Sequence, residues 1–279
     1  MKNKYELYLI KEFLDRYELK KDAFKTPHNE FRFLCYKFSF IIDHFIIPDI
    51  QKESLFEAVI VEFRNFPHLN FIIRNTILKL GKKWAFTVIC GKENKQMMIS
   101  ICEQISKKIK IIVLPYNNLT QGQYSELLTT ANFWNLLKGD KILIYQEDTI
   151  IFGNNIIDFL DYDYIGAPWP MPQDDFSFKA KDGELIRVGN SVSLRSKKLL
   201  DLPIDLNLEW KAFHGYYNED GYICVNYRHK YLENGMKFAN IDVAKHFSHE
   251  SMIPEVAGIK PFAFHRHFGT NSVYPNYGK

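Results

Sequence analysis

The stretch that decides the fold is Lys141-Ile-Leu-Ile-Tyr-Gln-Glu-Asp-Thr149. An apolar run ends abruptly in Gln146, Glu147 and Asp148, and apolar character resumes at Ile150-Ile151-Phe152. A short apolar run bounded in this way reads as a buried strand. Acidic oxygens at a strand tip are a common way to hold a divalent cation beside a phosphate. The stretch therefore points to an enzyme handling a nucleotide-linked substrate.

Upstream, the same kind of strand recurs with helices between. Ala58-Val-Ile-Val-Glu-Phe63, Trp84-Ala-Phe-Thr-Val-Ile-Cys90 and Lys110-Ile-Ile-Val-Leu114 read as strands. Pro67 to Lys79, Lys95 to Ser106 and Tyr124 to Leu137 read as helices; the last carries Tyr124, Leu127, Leu128, Ala131, Trp134 and Leu137 on one face. Strands alternating with helices of this length predict βαβ units and a mostly parallel sheet. Ligands of such sheets bind beyond the carboxyl ends of the strands. Glu62 to Arg64, Gly91 and the Gln146-Glu147-Asp148 cluster all follow strands, so they converge at that edge by topology. No GxGxxG and no GxxxxGK[ST] follows any strand, which disfavours a dinucleotide fold and a P-loop.

The rest of the chain sets bounds. With 279 residues, 46% of them hydrophobic, it can bury a large core in one big domain or in one domain with an appendage. Residues 1–54 read as a helical N-terminal extension packing on a main domain over 55–279; Leu7, Ile10, Phe13, Leu14 and Tyr17 recur there at helical spacing. The net charge of +3 is spread without a long basic block, which argues against nucleic acid as partner. Cys35, Cys90, Cys102 and Cys224 form no CxxC pair and read as buried free thiols, favouring a reducing compartment. The N-terminus lacks an uninterrupted apolar segment, so the expectation is a cytoplasmic protein, with peripheral attachment to a membrane left open.

The order of segments resembles nucleotide-sugar glycosyltransferases of the GT-A type. More closely, it looks like a bacterial and viral family of uncharacterised glycosyltransferase-like domains. The resemblance rests on Glu62-Phe-Arg64, Ile142-Leu-Ile-Tyr-Gln-Glu-Asp-Thr149 and Asp161-Tyr-Asp-Tyr-Ile-Gly-Ala-Pro-Trp169. It continues with Val188-Gly-Asn-Ser-Val-Ser-Leu-Arg-Ser196, Asn218-Glu-Asp-Gly221 and Pro261-Phe-Ala-Phe-His265. It runs from about Leu55 to Phe268 and implies a GT-A, Rossmann-like α/β fold with a UDP-sugar as donor and a glycan or glycoconjugate as acceptor.

The resemblance also implies roles. GT-A enzymes carry Asp-x-Asp at the strand tip; here Gln146 stands first, a neutral and weaker ligand than a carboxylate. Asp148 is then the main ligand for Mn²⁺ or Mg²⁺, with Glu147 second. His265 completes the set, and His267, two residues on, is a further candidate. Asn218-Glu-Asp-Gly221 resembles the pair of inverting enzymes, with Asp220 as base and Glu219 orienting the acceptor; ordinary helix capping explains the same residues. Gly189 would admit a sugar close to the backbone and Asn190 would meet its hydroxyls, or the segment is a hairpin with a glycine bulge. The family commonly shows Gly-Gly after that Asn, where this chain has Ser191-Val192. Trp169 reads as a stacking platform or as core. Glu62 and Arg64 would meet the nucleotide, or form a structural ion pair. Two competing readings remain: a degenerate domain that binds nucleotide or glycan without turnover, and a nucleotidyltransferase.

Overall fold

In the computed structural model, which describes residues 4–18, 26–171, 179, 185–209 and 218–265, a central six-stranded sheet has the order β3-β2-β1-β4-β7-β6. Its strands are β1 (Phe56–Val61), β2 (Ala85–Cys90), β3 (Lys110–Val113), β4 (Lys141–Tyr145), β6 (Tyr164–Pro168) and β7 (Val188–Ser196). The first four are mutually parallel; β7 runs antiparallel to both of its neighbours. Beside it, β5 (Thr149–Ile151), β8 (Ser248–His249) and β9 (Ala263–His265) form a second, small sheet. The expected α/β architecture, a mixed and mostly parallel sheet flanked by helices with helices at the N-terminus, is the one found.

The strand order places the site. From β1 the chain passes outward through α3 (Leu69–Leu80) to β2, then through α4 (Lys95–Ile105) to β3. It then returns across the sheet to lay β4 on the free side of β1. The direction of winding thus reverses between β1 and β4, and a crevice opens outside the carboxyl ends at such a reversal. Ile60 pairs with Tyr145, so Glu62–Arg64 and Gln146–Asp148 leave the sheet side by side.

Side chains alternate between the two faces. Ala58 and Ile60 pack with α3 and α4 in one core, while Val59 and Val61 pack in the other with Trp134, Leu199 and Tyr222. The return path departs from the expected single helix over 124–137: the chain forms α5 (Gln121–Leu127), breaks, and restarts as α6 (Ala131–Trp134). Thr130 causes the restart, its side chain accepting a hydrogen bond from the Phe133 N–H as an N-cap.

The N-terminal segment comprises α1 (Lys4–Arg16) and α2 (Pro27–Ile42). Thr26 caps α2 and Pro27 occupies its first turn, where a missing N–H costs nothing. Phe31, Cys35, Ile42 and Ile50 belong to the same core as β1 and α3. All four cysteines are buried and free. Among the described residues no helix is long and apolar enough to cross a membrane.

Candidate functional site

A cavity of about 470 Å³ lies at the β1/β4 reversal. It draws Glu62, Phe63 and Arg64 from the end of β1, Gln146, Glu147 and Asp148 from the end of β4, and His265 from β9. Asn118 to Gln121, Tyr124 and Ser125 enter from α5 and the loop before it. Asn218, Glu219 and Asp220 enter from the short helix α8 (Glu219–Gly221), which follows α7 (Lys197–Asp205). Residues more than 110 apart in sequence therefore face one another.

On the β4 side, His265 Nε2 lies 3.0 Å from Asp148 Oδ1 and 3.1 Å from Gln146 Oε1. His265 Nδ1 lies 3.3 Å from Glu250 Oε1. Burial alone would lower the His265 pKa, but the carboxylates of Asp148 and Glu250 outweigh it and lift it to about 9. The donor chemistry (carboxylate, amide oxygen, imidazole) fits Mg²⁺ or Mn²⁺, which would displace the proton that His265 Nε2 shares with Asp148. Among the described residues no three acidic, histidine or cysteine side chains form a metal-holding group on their own. Gln146 would thus have to serve beside Asp148 and His265, with substrate oxygens completing the shell.

Glu147 is placed differently from the expectation. Its carboxylate turns toward the N-terminal segment, where Arg32 donates from Nη2 at 2.5 Å and from Nε at 3.2 Å, and His68 Nε2 lies 2.8 Å away. These bonds outweigh burial and hold the Glu147 carboxyl well below the usual range. Although Glu147 lines the cavity, its oxygens are committed to Arg32 and His68, which leaves it a poor metal ligand. His267 lies outside the described residues.

On the facing wall, Asn218 caps α8 by accepting from the Gly221 N–H, so the capping expected from the sequence is present together with the acidic pair. Glu219 accepts from Ser125 Oγ at 2.7 Å. Asp220 Oδ1 accepts from Tyr164 Oη at 2.8 Å and from Arg195 Nη2 at 3.1 Å, and the same Nη2 lies 3.5 Å from Glu219 Oε1. Among the described residues Asp220 Oδ2 takes no hydrogen bond. Burial, with Glu219 adding to it, raises the Asp220 pKa to about 7 despite Arg195 and Tyr164. Arg195 is fully buried, and although burial opposes its charge, Tyr164, Asp220 and Glu219 raise its pKa further above the ordinary value.

The remaining expected residues divide. Arg64 pairs with Glu62 through Nε and Nη2, both at 2.8 Å, yet its side chain stays 48% exposed and lines the cavity, so the ion pair and the cavity position coexist. Gly91 sits behind the wall: a Cβ there would lie 2.6 Å from the Tyr116 carbonyl oxygen and 2.8 Å from the Phe63 ring. Gly189 and Trp169 are not brought to the cavity. A Cβ on Gly189 would fall 2.1 Å from Trp169 Cζ2, so this glycine makes room for the indole rather than for a sugar, and Trp169 is core. Asn190 follows Gly189 within β7.

Arg195, Tyr164, Ser125, Arg32 and Glu250 went unread in the sequence. One signal was available for Arg195: in β7, Val192 and Leu194 face one core, so Ser193 and Arg195 form a polar row on the opposite face of a buried strand. Arg32 and Glu250 carry no local signal.

The family model described as "Protein of unknown function (DUF5672)" matches residues 108–265. No curated protein sequence matches the chain. Among solved structures, mouse xyloside xylosyltransferase 1 in its apo form superposes with a TM-score of 0.46 at 10% identity, covering 79% of this chain and 99% of that one. The 4-diphosphocytidyl-2C-methyl-D-erythritol synthase of Anaerococcus prevotii gives 0.41 at 10% identity, covering 67% and 86%. The inositol-1-phosphate CTP transferase of T. maritima gives 0.41 at 9% identity, covering 69% and 85%.

Proposed function

The chain belongs to the DUF5672 family, and we propose that it is a metal-dependent, inverting glycosyltransferase that moves a sugar from a UDP-sugar to a glycan or glycoconjugate hydroxyl. One observation carries this reading. A single cavity sets Asp148, Gln146 and His265 on one wall and Glu219 and Asp220 on the other. The first group suits a diphosphate leaving group and the second suits an acceptor hydroxyl. Six carboxylates line the cavity against two arginines, so a bound diphosphate needs an added cation. Asp148, His265 and Gln146 would hold that Mn²⁺ or Mg²⁺, which when bound neutralises charge on the departing diphosphate.

The chain's own residues supply the rest. Asp220 Oδ2, which takes no hydrogen bond among the described residues, takes the acceptor proton as the acceptor oxygen attacks the anomeric carbon and the bond to the diphosphate breaks. Tyr164 and Arg195 fix the other oxygen, and Glu219 orients the acceptor from its Ser125 anchor. Arg64, half-exposed while paired with Glu62, is a cation in the cavity lining available to phosphate.

Nucleotide binding without turnover is the second reading. It is favoured by the engagement of Glu147, which leaves Asp148 as the one tip carboxylate directed at His265. The test is release of UDP from UDP-glucose, UDP-galactose and UDP-N-acetylglucosamine with and without Mn²⁺. Mn²⁺-dependent UDP release abolished by Asp148→Ala and by Asp220→Ala supports transfer. UDP binding by calorimetry with no release supports the second reading, and pyrophosphate release from a nucleoside triphosphate would replace both with nucleotidyl transfer.

A further inference from the structure

Glu147 is held by groups that all precede the family-matched stretch. His68, fully buried, receives the Tyr17 hydroxyl at Nδ1, 2.6 Å away, and its own backbone N–H donates to the Tyr17 oxygen at 2.9 Å. With that oxygen already accepting, the tyrosine proton points to Nδ1. His68 Nε2 then carries the ring proton and donates to Glu147 Oε2 at 2.8 Å. Arg32 grips the same carboxylate with Nε and Nη2. Arg32 is itself fixed: Nη1 donates to Asn29 Oδ1 at 3.2 Å, and the guanidinium lies 4.2 Å over the Phe66 ring.

We propose that the N-terminal helical segment is a working part of the candidate site: Tyr17 and Arg32, with His68 between them, position the β4 tip by holding Glu147, so that Asp148 and Gln146 face His265. The geometry gives the reason. Glu147 and Asp148 are the central residues of a tight turn that the Thr149 N–H closes on the Gln146 carbonyl at 3.1 Å. Anchoring Glu147 on Arg32 and His68 pins that turn, and with it the residues on either side, Gln146 and Asp148, which both meet His265 Nε2 within 3.1 Å. A buried carboxylate is costly to leave unpaired, so the tip keeps this orientation only while the N-terminal partners are in place. The role given to Asp148 rests on the reading above; the positioning itself does not.

The test uses the full chain with Tyr17→Phe, which removes one hydroxyl, and Arg32→Lys, which keeps the charge and loses the fork. Thermal melting establishes that each variant folds. Three readouts follow: Mn²⁺ affinity from the electron paramagnetic resonance of free Mn²⁺, kcat and KM for UDP release, and the ¹⁵N shifts of the His265 imidazole without any ligand. Both variants are expected to fold, to bind Mn²⁺ about tenfold more weakly, to lose kcat more than KM, and to show displaced His265 signals. Folded variants with Mn²⁺ affinity and kcat within about twofold of the parent and unmoved His265 signals would overturn the proposal and leave the segment a structural staple. Should Arg32→Lys not fold, Tyr17→Phe decides alone. If the parent protein neither binds Mn²⁺ nor turns over any donor, the glycosyltransferase reading fails, while the His265 signals still decide the positioning.

Discussion

If Asp220 is the base, two substitutions beside it should move the acid limb of the pH–rate profile in opposite directions. Asp220 acts only as a carboxylate, and its pKa stands at about 7 because burial and Glu219 disfavour the charge. kcat/KM should therefore rise about tenfold per pH unit up to the neutral range and then level off. Tyr164→Phe removes a 2.8 Å hydrogen bond to the carboxylate. Such a bond is worth about 1.5–3 kcal/mol, so the limb moves up by about one to two pH units. The Tyr164 ring stacks 5.6 Å from Phe238 and stays buried, so the variant keeps its packing. Glu219→Gln removes a like charge. The two carboxylates share Arg195 Nη2 at 3.5 and 3.1 Å, so their bonded oxygens are separated by at most 3.5 + 3.1 = 6.6 Å. At an effective dielectric constant of about 20 that repulsion is worth about 2.5 kcal/mol or more, which moves the limb down by nearly two units. The assay is the initial rate of UDP release in constant-ionic-strength buffers from pH 5 to 9. Limbs that move together, or that stay put in active variants, refute the assignment of Asp220.

The same group makes stability depend on pH. Its folded value of about 7 lies above the ordinary 3.8, so between these limits the native state keeps a proton the unfolded chain has lost. The contribution to stability therefore falls as pH rises through that window, and Asp220→Asn should flatten this part of the melting temperature against pH. Gly189→Ala drives a methyl to 2.1 Å from Trp169 Cζ2, and urea denaturation should show a loss of about 1–3 kcal/mol that Trp169→Leu in the same chain partly restores. Asp148→Ala should remove the Mn²⁺-dependent part of UDP affinity in calorimetry and leave metal-free binding nearly unchanged; an undiminished Mn²⁺ effect would put the metal elsewhere.

What could be read in advance follows a physical divide. Strands such as β1, β2 and β4 announce themselves because each is a short apolar run buried on both faces, and the alternation with helices then fixes parallel pairing and the edge where ligands bind. The partners of buried charges are not local. Arg195 looks like an ordinary strand residue until Tyr164, Glu219 and Asp220 arrive from other segments, and Arg32 until Glu147 does. Gly189 shows a third case: a glycine signals that something comes close to the backbone, but the visitor is Trp169, another residue picked out as facing a sugar. The two are one packing unit.

The acidic tip follows the same divide. Glu147 and Asp148 are the central pair of a tight turn between β4 and β5, closed by the Thr149 N–H on the Gln146 carbonyl at 3.1 Å, so adjacency alone does not say which of them meets an ion. The structure resolves the choice by giving Glu147 to Arg32 and His68 and Asp148 to His265. Glu219 and Asp220 adjoin as well, in a helical turn where successive side chains differ by about 100°, and both acid pairs line the cavity. What separates the pairs is their partners: Glu147 is taken by Arg32 and His68, while Glu219 and Asp220 share Arg195 Nη2. Those partners come from distant segments, so two adjacent acids in the sequence mark the place, and the buried cations that reach them assign each its part.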